Sequence, residues 1–121
     1  MSLDIKNITK IYGAQKALDN VNFKLQKGEI LGFLGPNGAG KSTMMKIICG
    51  YLPATQGEVF INGKNIQNES LECKKMIGYL PEHNPLYLDM FVKEFLHFVA
   101  GIHAIKNPTQ RVQEVIDLVG L

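Results

Sequence analysis

The chain lacks the features that mark several protein classes. It has two cysteines, Cys49 and Cys73, with no C-x-x-C spacing that would indicate metal or thioredoxin-type chemistry. Its net charge is only +2 and it has no basic tract, which argues against a nucleic-acid partner. No apolar run approaches the roughly 18 residues of a membrane-spanning helix, and no signal-peptide pattern is present. The sequence therefore predicts a chain with free thiols that is neither secreted nor membrane-spanning.

The composition is that of a globular protein with a core of its own. Hydrophobic residues make up 45% of the 121 residues and charged residues 20%, a balance far from that of disordered chains. A chain of this length can bury a substantial core. We therefore expect a single domain.

One motif in the sequence indicates phosphate binding. It consists of nine consecutive residues, Gly35, Pro36, Asn37, Gly38, Ala39, Gly40, Lys41, Ser42 and Thr43. They fit the pattern G-x-x-x-x-G-K-[ST] of the phosphate-binding loop, or P-loop. The glycines let several backbone N–H groups converge, and a helix starting near Lys41 adds its positive dipole end. Lys41 would reach the β- and γ-phosphates and Ser42 would bind Mg²⁺, so the motif predicts ATP or GTP binding.

The flanks of this motif fit the strand and helix that it requires. Residues 30–34 form a short apolar run, which predicts a parallel strand buried on both faces. Residues 44–49 are apolar and free of helix breakers up to Gly50, which predicts a helix. Strand, loop and helix together make an incidental glycine-rich turn a poor explanation of the motif.

Outside this motif, the first half of the sequence predicts mainly strands and the second half mainly helices. Alternating apolar residues predict strands at 3–11, 17–25 and 59–61, and Asn62-Gly63 predicts a hairpin turn into residues 64–66. Residues 77–80 predict a further short apolar strand, followed by a loop framed by Pro81 and Pro85. Helices are predicted at 69–76, at 91–103 and from Pro108 to the stop at Gly120.

The order of these motifs resembles the ATP-binding subunit of ABC transporters. The resemblance runs from residue 2 to residue 121 and includes Tyr12-Gly13, Ala17-Leu18, the phosphate loop, Gly57-Glu58, Asn62-Gly63 and the run Ile77-Gly78-Tyr79-Leu80-Pro81. It implies an α/β P-loop NTPase of the ABC type. Such a domain has an N-terminal antiparallel β subdomain, a partial parallel sheet and, here, a helical second half.

The resemblance assigns roles to residues outside the phosphate loop. Tyr12 matches the aromatic residue that stacks on adenine, a reasonable partner because flat rings stack in offset geometry. Ala17 matches a small residue beside the base. The ring at position 12, together with the absence of a guanine-reading Asn-Lys-x-Asp pattern, favours ATP over GTP.

Glu82 stands where most of the family has a glutamine that reaches Mg²⁺ or the attacking water. A carboxylate can still bind Mg²⁺, but it cannot donate a hydrogen bond while ionised. We therefore expect Glu82 to act as a metal ligand and to position the water. The alternative is a loop carboxylate with no metal role. The Leu-Pro-Glu variant is similar to a subset of exporters that includes those linked to bacterial gliding.

Three elements of the family do not occur in the sequence. They are the Leu-Ser-Gly-Gly-Gln signature, an apolar strand ending in Asp-Glu, and the switch histidine. Because hydrolysis needs a second acidic metal ligand and a group that positions water, we expect this chain to bind nucleotide without appreciable turnover. Residues 1–121 are thus expected to be the N-terminal part of one ABC-type ATP-binding domain that ends before the signature and Walker B motifs.

The resemblance also implies partners and a location. An ATP-hydrolysing subunit of this family works with an integral membrane subunit and with a second ATP-binding subunit, at the cytoplasmic face of the membrane, and no nucleic acid is expected. Two alternatives remain open. The chain could belong to a soluble ABC-type ATPase acting on ribosomes or DNA, or it could be a non-catalytic nucleotide-binding module. Without further strands, the edge at residues 30–34 would favour self-association.

Overall fold

The computed structural model describes residues 2–84 and 86–121, so Pro85, predicted to bound a loop, lies outside the described residues. These residues fall into two compact units divided after Tyr79. The first unit contains strands β1 (Leu3–Tyr12), β2 (Gln15–Leu25), β3 (Gln56–Ile61) and β4 (Lys64–Asn65), with helices α1 (Lys41–Ile48) and α2 (Ser70–Lys75). The second unit contains helices α3 (Val92–Ile102) and α4 (Pro108–Val119).

The first unit is built on a four-stranded sheet in the order β2-β1-β3-β4. All three pairings are antiparallel, which confirms the predicted antiparallel N-terminal subdomain. The turn between β3 and β4 is the one that Asn62-Gly63 predicts, because both residues have positive φ, 50° and 79°, as a two-residue hairpin turn requires. The register of β1 against β2 shifts three times between Ile5 and Ile11, so the predicted irregularity of the first strand is real.

Helix α1 packs on one face of this sheet. Met44 and Ile47 are its two buried residues, spaced three apart so that they share one side of the helix. They join a core formed by Leu3, Ile5, Ile8, Leu18, Val59, Ile61, Ile66 and Cys73. The helix ends at Ile48 with Cys49 as its C-cap, and Gly50 follows in the left-handed conformation with φ 68°, as the sequence predicts.

Two predicted strands are absent. Residues 30–34 and 77–80 have no strand assignment, and Ile30 and Leu34 are 99% and 96% exposed. An apolar run indicates that a segment tends to be buried. A parallel strand also needs hydrogen-bonded neighbouring strands. Among residues 2–84 and 86–121, no strand pairs with either segment, so the predicted parallel sheet is not formed.

The second unit is a pair of packed helices, as the periodicity of its apolar residues predicts. Ala100 of α3 packs with Val112 and Ile116 of α4, and Leu96 covers the cluster. Pro108 occupies the first turn of α4, and Gly120 ends it in the left-handed conformation. Among the helices of the described ranges, none has the length and apolar character to cross a membrane.

Replacing Ile30 and Leu34 by lysine should reduce self-association of the chain. Both side chains are almost fully exposed, and burial of such a side chain contributes about 1.5–3 kcal/mol. We expect the association constant from sedimentation velocity to fall by at least about tenfold, since an exposed apolar surface favours association and charge there opposes it. Leu118→Lys is the matched control, because Leu118 is 77% exposed on a helix. Equal association of the double variant and the wild type would contradict this account.

Candidate functional site

A cavity of about 300 Å³ lies in the first unit where the phosphate loop meets the hairpin of β1 and β2. Most of the residues predicted from the sequence to bind nucleotide line it. The lining consists of Tyr12, Gln15, Ala17, Asn37, Gly38, Gly40, Lys41, Ser42 and Thr43. Three predicted residues of the loop, Gly35, Pro36 and Ala39, lie in the same segment without being part of this lining. The fold thus brings the two sequence-distant parts of the predicted site together.

The start of α1 provides hydrogen-bond donors that have no acceptor among residues 2–84 and 86–121. Met44 N–H donates to the Gly40 carbonyl at 2.9 Å, which is the first bond of the helix. The N–H groups of Lys41, Ser42 and Thr43 precede that bond and have no acceptor within the helix. Gly40 has no side chain to cap them, and the first turn carries no acidic residue. Donors and helix dipole are therefore available to an anion.

The ammonium group of Lys41 lies over the loop itself. Its Nζ donates hydrogen bonds to the carbonyl oxygens of Gly35 and Pro36, the latter at 2.7 Å. The loop is also closed by a turn in which Ala39 N–H donates to the Pro36 carbonyl at 3.2 Å. A phosphate group is a stronger acceptor than a carbonyl oxygen because it is charged. The position of Lys41 beside the helix start is thus one from which it can move to a bound phosphate.

Gly40 is the point at which the loop touches the sheet. Its φ of 87° is one that residues with a side chain rarely adopt. A Cβ atom at this position would lie 2.5 Å from the carbonyl oxygen of Ala17 and 2.7 Å from Cδ2 of Leu18. Any other residue would therefore push the start of α1 away from β2.

The hairpin end of β1 and β2 supplies the other wall. Tyr12 is the last residue of β1 and pairs with Gln15, the first of β2. The side chain of Tyr12 is 47% exposed, so a large part of its ring is open to a ligand. Gln15 also lines the cavity, although no sequence motif points to it. Only its pairing with Tyr12, which depends on the register of the hairpin, could have revealed it.

Glu82 belongs to the second unit and is exposed. Its predicted role at the metal stays a prediction. Ser42, the other predicted metal ligand, lies in the first turn of α1 and lines the cavity. Among the residues that the structure describes, no group of three His, Cys, Asp or Glu side chains could hold a metal ion by itself.

The two thiols are not candidates for nucleophilic chemistry. Cys49 and Cys73 are both free and buried. Burial raises the pKa of the Cys49 thiol. Burial also raises the pKa of the Cys73 thiol, and the nearby Glu69 carboxylate adds to that rise. Both therefore remain protonated at neutral pH and are poor nucleophiles.

Gly40→Ala should destabilise the first unit more than Gly38→Ala does. The two glycines have almost the same φ, 87° and 84°, but a Cβ at Gly38 meets nothing within 4 Å. The pair thus separates backbone strain from the clash with β2. We expect Gly40→Ala to lower the free energy of unfolding in urea by about 1–3 kcal/mol more than Gly38→Ala, as overpacking does. Equal losses for the two variants would show that the contact with β2 has no energetic consequence.

Comparison with solved structures shows the same fold. A putative ABC transporter ATP-binding protein from Pyrococcus furiosus matches with a TM-score of 0.83 at 28% identity, over 100% of this chain and 58% of that one. A dimeric ATP-binding cassette in a post-hydrolysis state, bound to ADP and phosphate, matches with a TM-score of 0.80 at 28% identity. That match covers 98% of this chain and 57% of the other.

Sequence comparison leads to the same family. The probable multidrug ABC transporter ATP-binding protein YbhF of Escherichia coli is 37% identical over 89% of this chain and 19% of its own length. The bacitracin transport ATP-binding protein BcrA of Bacillus licheniformis is 37% identical over 100% of this chain and 40% of its own. The chain thus spans less than half the length of these relatives. The family model for ABC transporters matches residues 18–121, and the chain belongs to this family.

Proposed function

We propose that the chain binds ATP in the cavity between the phosphate loop and the hairpin of β1 and β2. The observation that carries the proposal is the convergence of two sequence-distant features on one cavity of about 300 Å³. One is the start of α1 with its unpaired N–H donors and Lys41. The other is the half-exposed ring of Tyr12. A phosphate chain and a flat base need donors and a stacking surface at opposite ends of one site.

Each residue has a definite task in this proposal. The N–H groups of the loop and of the first turn of α1 hold the β- and γ-phosphates. Lys41 leaves the carbonyl oxygens of Gly35 and Pro36 and pairs with the phosphates. Tyr12 stacks on adenine, with Ala17 beside the base.

Mg²⁺ is part of the proposed ligand. This ion keeps several waters and is held by one or two protein oxygens together with substrate phosphates. The chemistry of the site fits this, because the Ser42 hydroxyl is in the first turn of α1 beside the donors that would hold the phosphates. Glu82 is proposed as a second ligand and as a group that positions water. The ion would neutralise charge on the phosphates when bound.

The proposed parent activity is ATP hydrolysis coupled to transport. The names of the relatives support it, because they describe ATP-binding proteins of multidrug, bacitracin and choline transport. We propose that residues 1–121 form the N-terminal part of one such ATP-binding domain. It would work at the cytoplasmic face of a membrane with an integral membrane subunit and a second ATP-binding subunit. One solved relative is itself dimeric.

The same names do not select a subset of the family. Relatives of similar identity are named for linearmycin resistance and choline transport. Membership of an exporter subset therefore rests only on the Leu-Pro-Glu run and the residues that follow it, 80–87, and stays a prediction. A non-transport ATPase has less support, because none of these names describes one.

Lys41→Ala should weaken binding of Mg-ATP by about ten- to one-hundredfold. Loss of hydrogen bonds between a charged side chain and a charged ligand accounts for about 1.5–3 kcal/mol. Isothermal titration calorimetry measures the affinity. Lys46→Ala is the matched control, because Lys46 lies in the last turn of the same helix. This variant should bind ATP as the wild type does. An unchanged affinity of Lys41→Ala would contradict the proposed site.

The purified chain should bind ATP without releasing phosphate at a rate above background. The sequence contains no Leu-Ser-Gly-Gly-Gln and no apolar strand ending in Asp-Glu. Beyond Ser42 and Glu82, the further groups that hydrolysis needs at the metal and the water are therefore missing. A phosphate-release assay on the wild type and on Lys41→Ala distinguishes the activity of this chain from that of contaminating ATPases. Steady release that disappears in Lys41→Ala would show that the chain is catalytically complete.

A further inference from the structure

Tyr12, which lines the cavity, makes a contact with Lys10 that no family motif assigns. Lys10 and Tyr12 are two apart on β1, so their side chains leave the strand on the same face. The Lys10 ammonium lies 5.2 Å from the centroid of the Tyr12 ring. This is within the distance at which a cation interacts with the face of an aromatic ring.

A second bond fixes the ammonium in this position. Lys10 Nζ donates a hydrogen bond of 2.7 Å to the carbonyl oxygen of Pro53, in the loop between α1 and β3. That loop is joined to the same strand by two further bonds. Thr55 N–H donates to the Thr9 carbonyl at 2.9 Å, and Ile11 N–H donates to the Thr55 hydroxyl at 3.0 Å. The ammonium over the ring is thus hydrogen-bonded to a loop that is itself bonded to Thr9 and Ile11, the residues on either side of Lys10.

We infer that Lys10 is a positioning residue for the nucleobase. Its tethered ammonium covers one face of the Tyr12 ring and leaves the other face for a planar base. Tyr12 as a whole is 47% exposed, so part of the residue remains accessible to a ligand. The inference rests on the proposed function, because the ligand on the open face is the adenine of ATP.

The physical effect has two parts. A ring held in one orientation loses less side-chain entropy when a base stacks on it. A cation on one face also draws electron density from the ring and so favours stacking of the electron-rich base on the other face. Both parts act on the base and neither acts on the phosphates.

The test compares ATP with inorganic tripolyphosphate, which offers the phosphate chain without a base. We expect Lys10→Met to weaken ATP binding by about two- to fivefold, the size of a cation–π contact at an exposed site. Tripolyphosphate binding should not change. Lys10→Arg should retain wild-type ATP affinity, because a guanidinium can both donate to the Pro53 carbonyl and stack on the ring. Lys24→Met is the matched control, since Lys24 lies on β2 opposite Asp4 at the far end of the hairpin.

A second measurement needs no ligand. The sequence has no tryptophan, so Tyr12→Trp places a single indole at the ring position. We expect the fluorescence anisotropy of the Tyr12→Trp variant to fall when Lys10→Met is added and to stay unchanged when Lys24→Met is added. This readout reports the mobility of the ring directly and would not move if Lys10 only stabilised the fold.

The outcomes are distinct. An unchanged ATP affinity or an unchanged anisotropy in the Lys10→Met variants would overturn the inference. Equal weakening of ATP and tripolyphosphate binding would also overturn it, because it would indicate general damage to the first unit. If the wild type binds neither ligand, the proposed function fails, and the anisotropy comparison alone then decides whether Lys10 holds the ring.

Discussion

The contact between Gly40 and β2 is the constraint on which the rest of the site depends. Because Gly40 has no side chain, the start of α1 can lie directly against the carbonyl oxygen of Ala17 and the side chain of Leu18. The same helix is fixed to the sheet further along by Met44 and Ile47. The phosphate loop and the hairpin of β1 and β2 are therefore held in one compact unit. The close approach at Gly40 brings the two walls of the cavity together at the start of α1.

The N–H donors of the phosphate loop and of the start of α1 do not destabilise the fold. Buried donors with no partner would be costly, but residues 30–39 are exposed, so water can reach the N–H groups of the loop. Lys41 satisfies its own donors at the carbonyl oxygens of Gly35 and Pro36. A phosphate bound at the proposed site would exchange these bonds and those to water for shorter, charge-assisted ones. Rigidity comes from the sheet below, while the ligand-facing surface stays open.

The sequence predicted local structure well and pairing poorly. Asn62-Gly63 located a turn because its φ angles follow from residue type, and the periodicity of Val112 and Ile116 located α4 because a helix needs no partner for its hydrogen bonds. The apolar run at 30–34 was placed in a strand wrongly, since composition does not reveal whether a neighbouring strand exists. Gln15 was missed for the same reason. Its place in the cavity follows from its pairing with Tyr12 across the hairpin, which no local pattern encodes.

The family assignment and the proposed nucleotide site rest on different observations that agree with each other. Membership of the ABC transporter family follows from the match over residues 18–121. The proposed nucleotide site follows from donors, charge and an aromatic ring that meet at one cavity. The chain spans less than half the length of its relatives YbhF and BcrA, so the activity of a whole protein of this kind stays a proposal. This shorter span does not bear on the cavity, whose lining residues all belong to the first unit.

The most direct test of this account is a map of backbone amide chemical shifts on addition of Mg-ATP to the isotopically labelled chain. The account predicts that the largest changes fall at the loop amides of Gly38, Lys41 and Ser42, with a second group at Tyr12 and Gln15. The first group reports the phosphates and the second the base. Changes confined to α3 and α4, or no changes at saturating Mg-ATP, would contradict the central claim that this cavity binds the nucleotide.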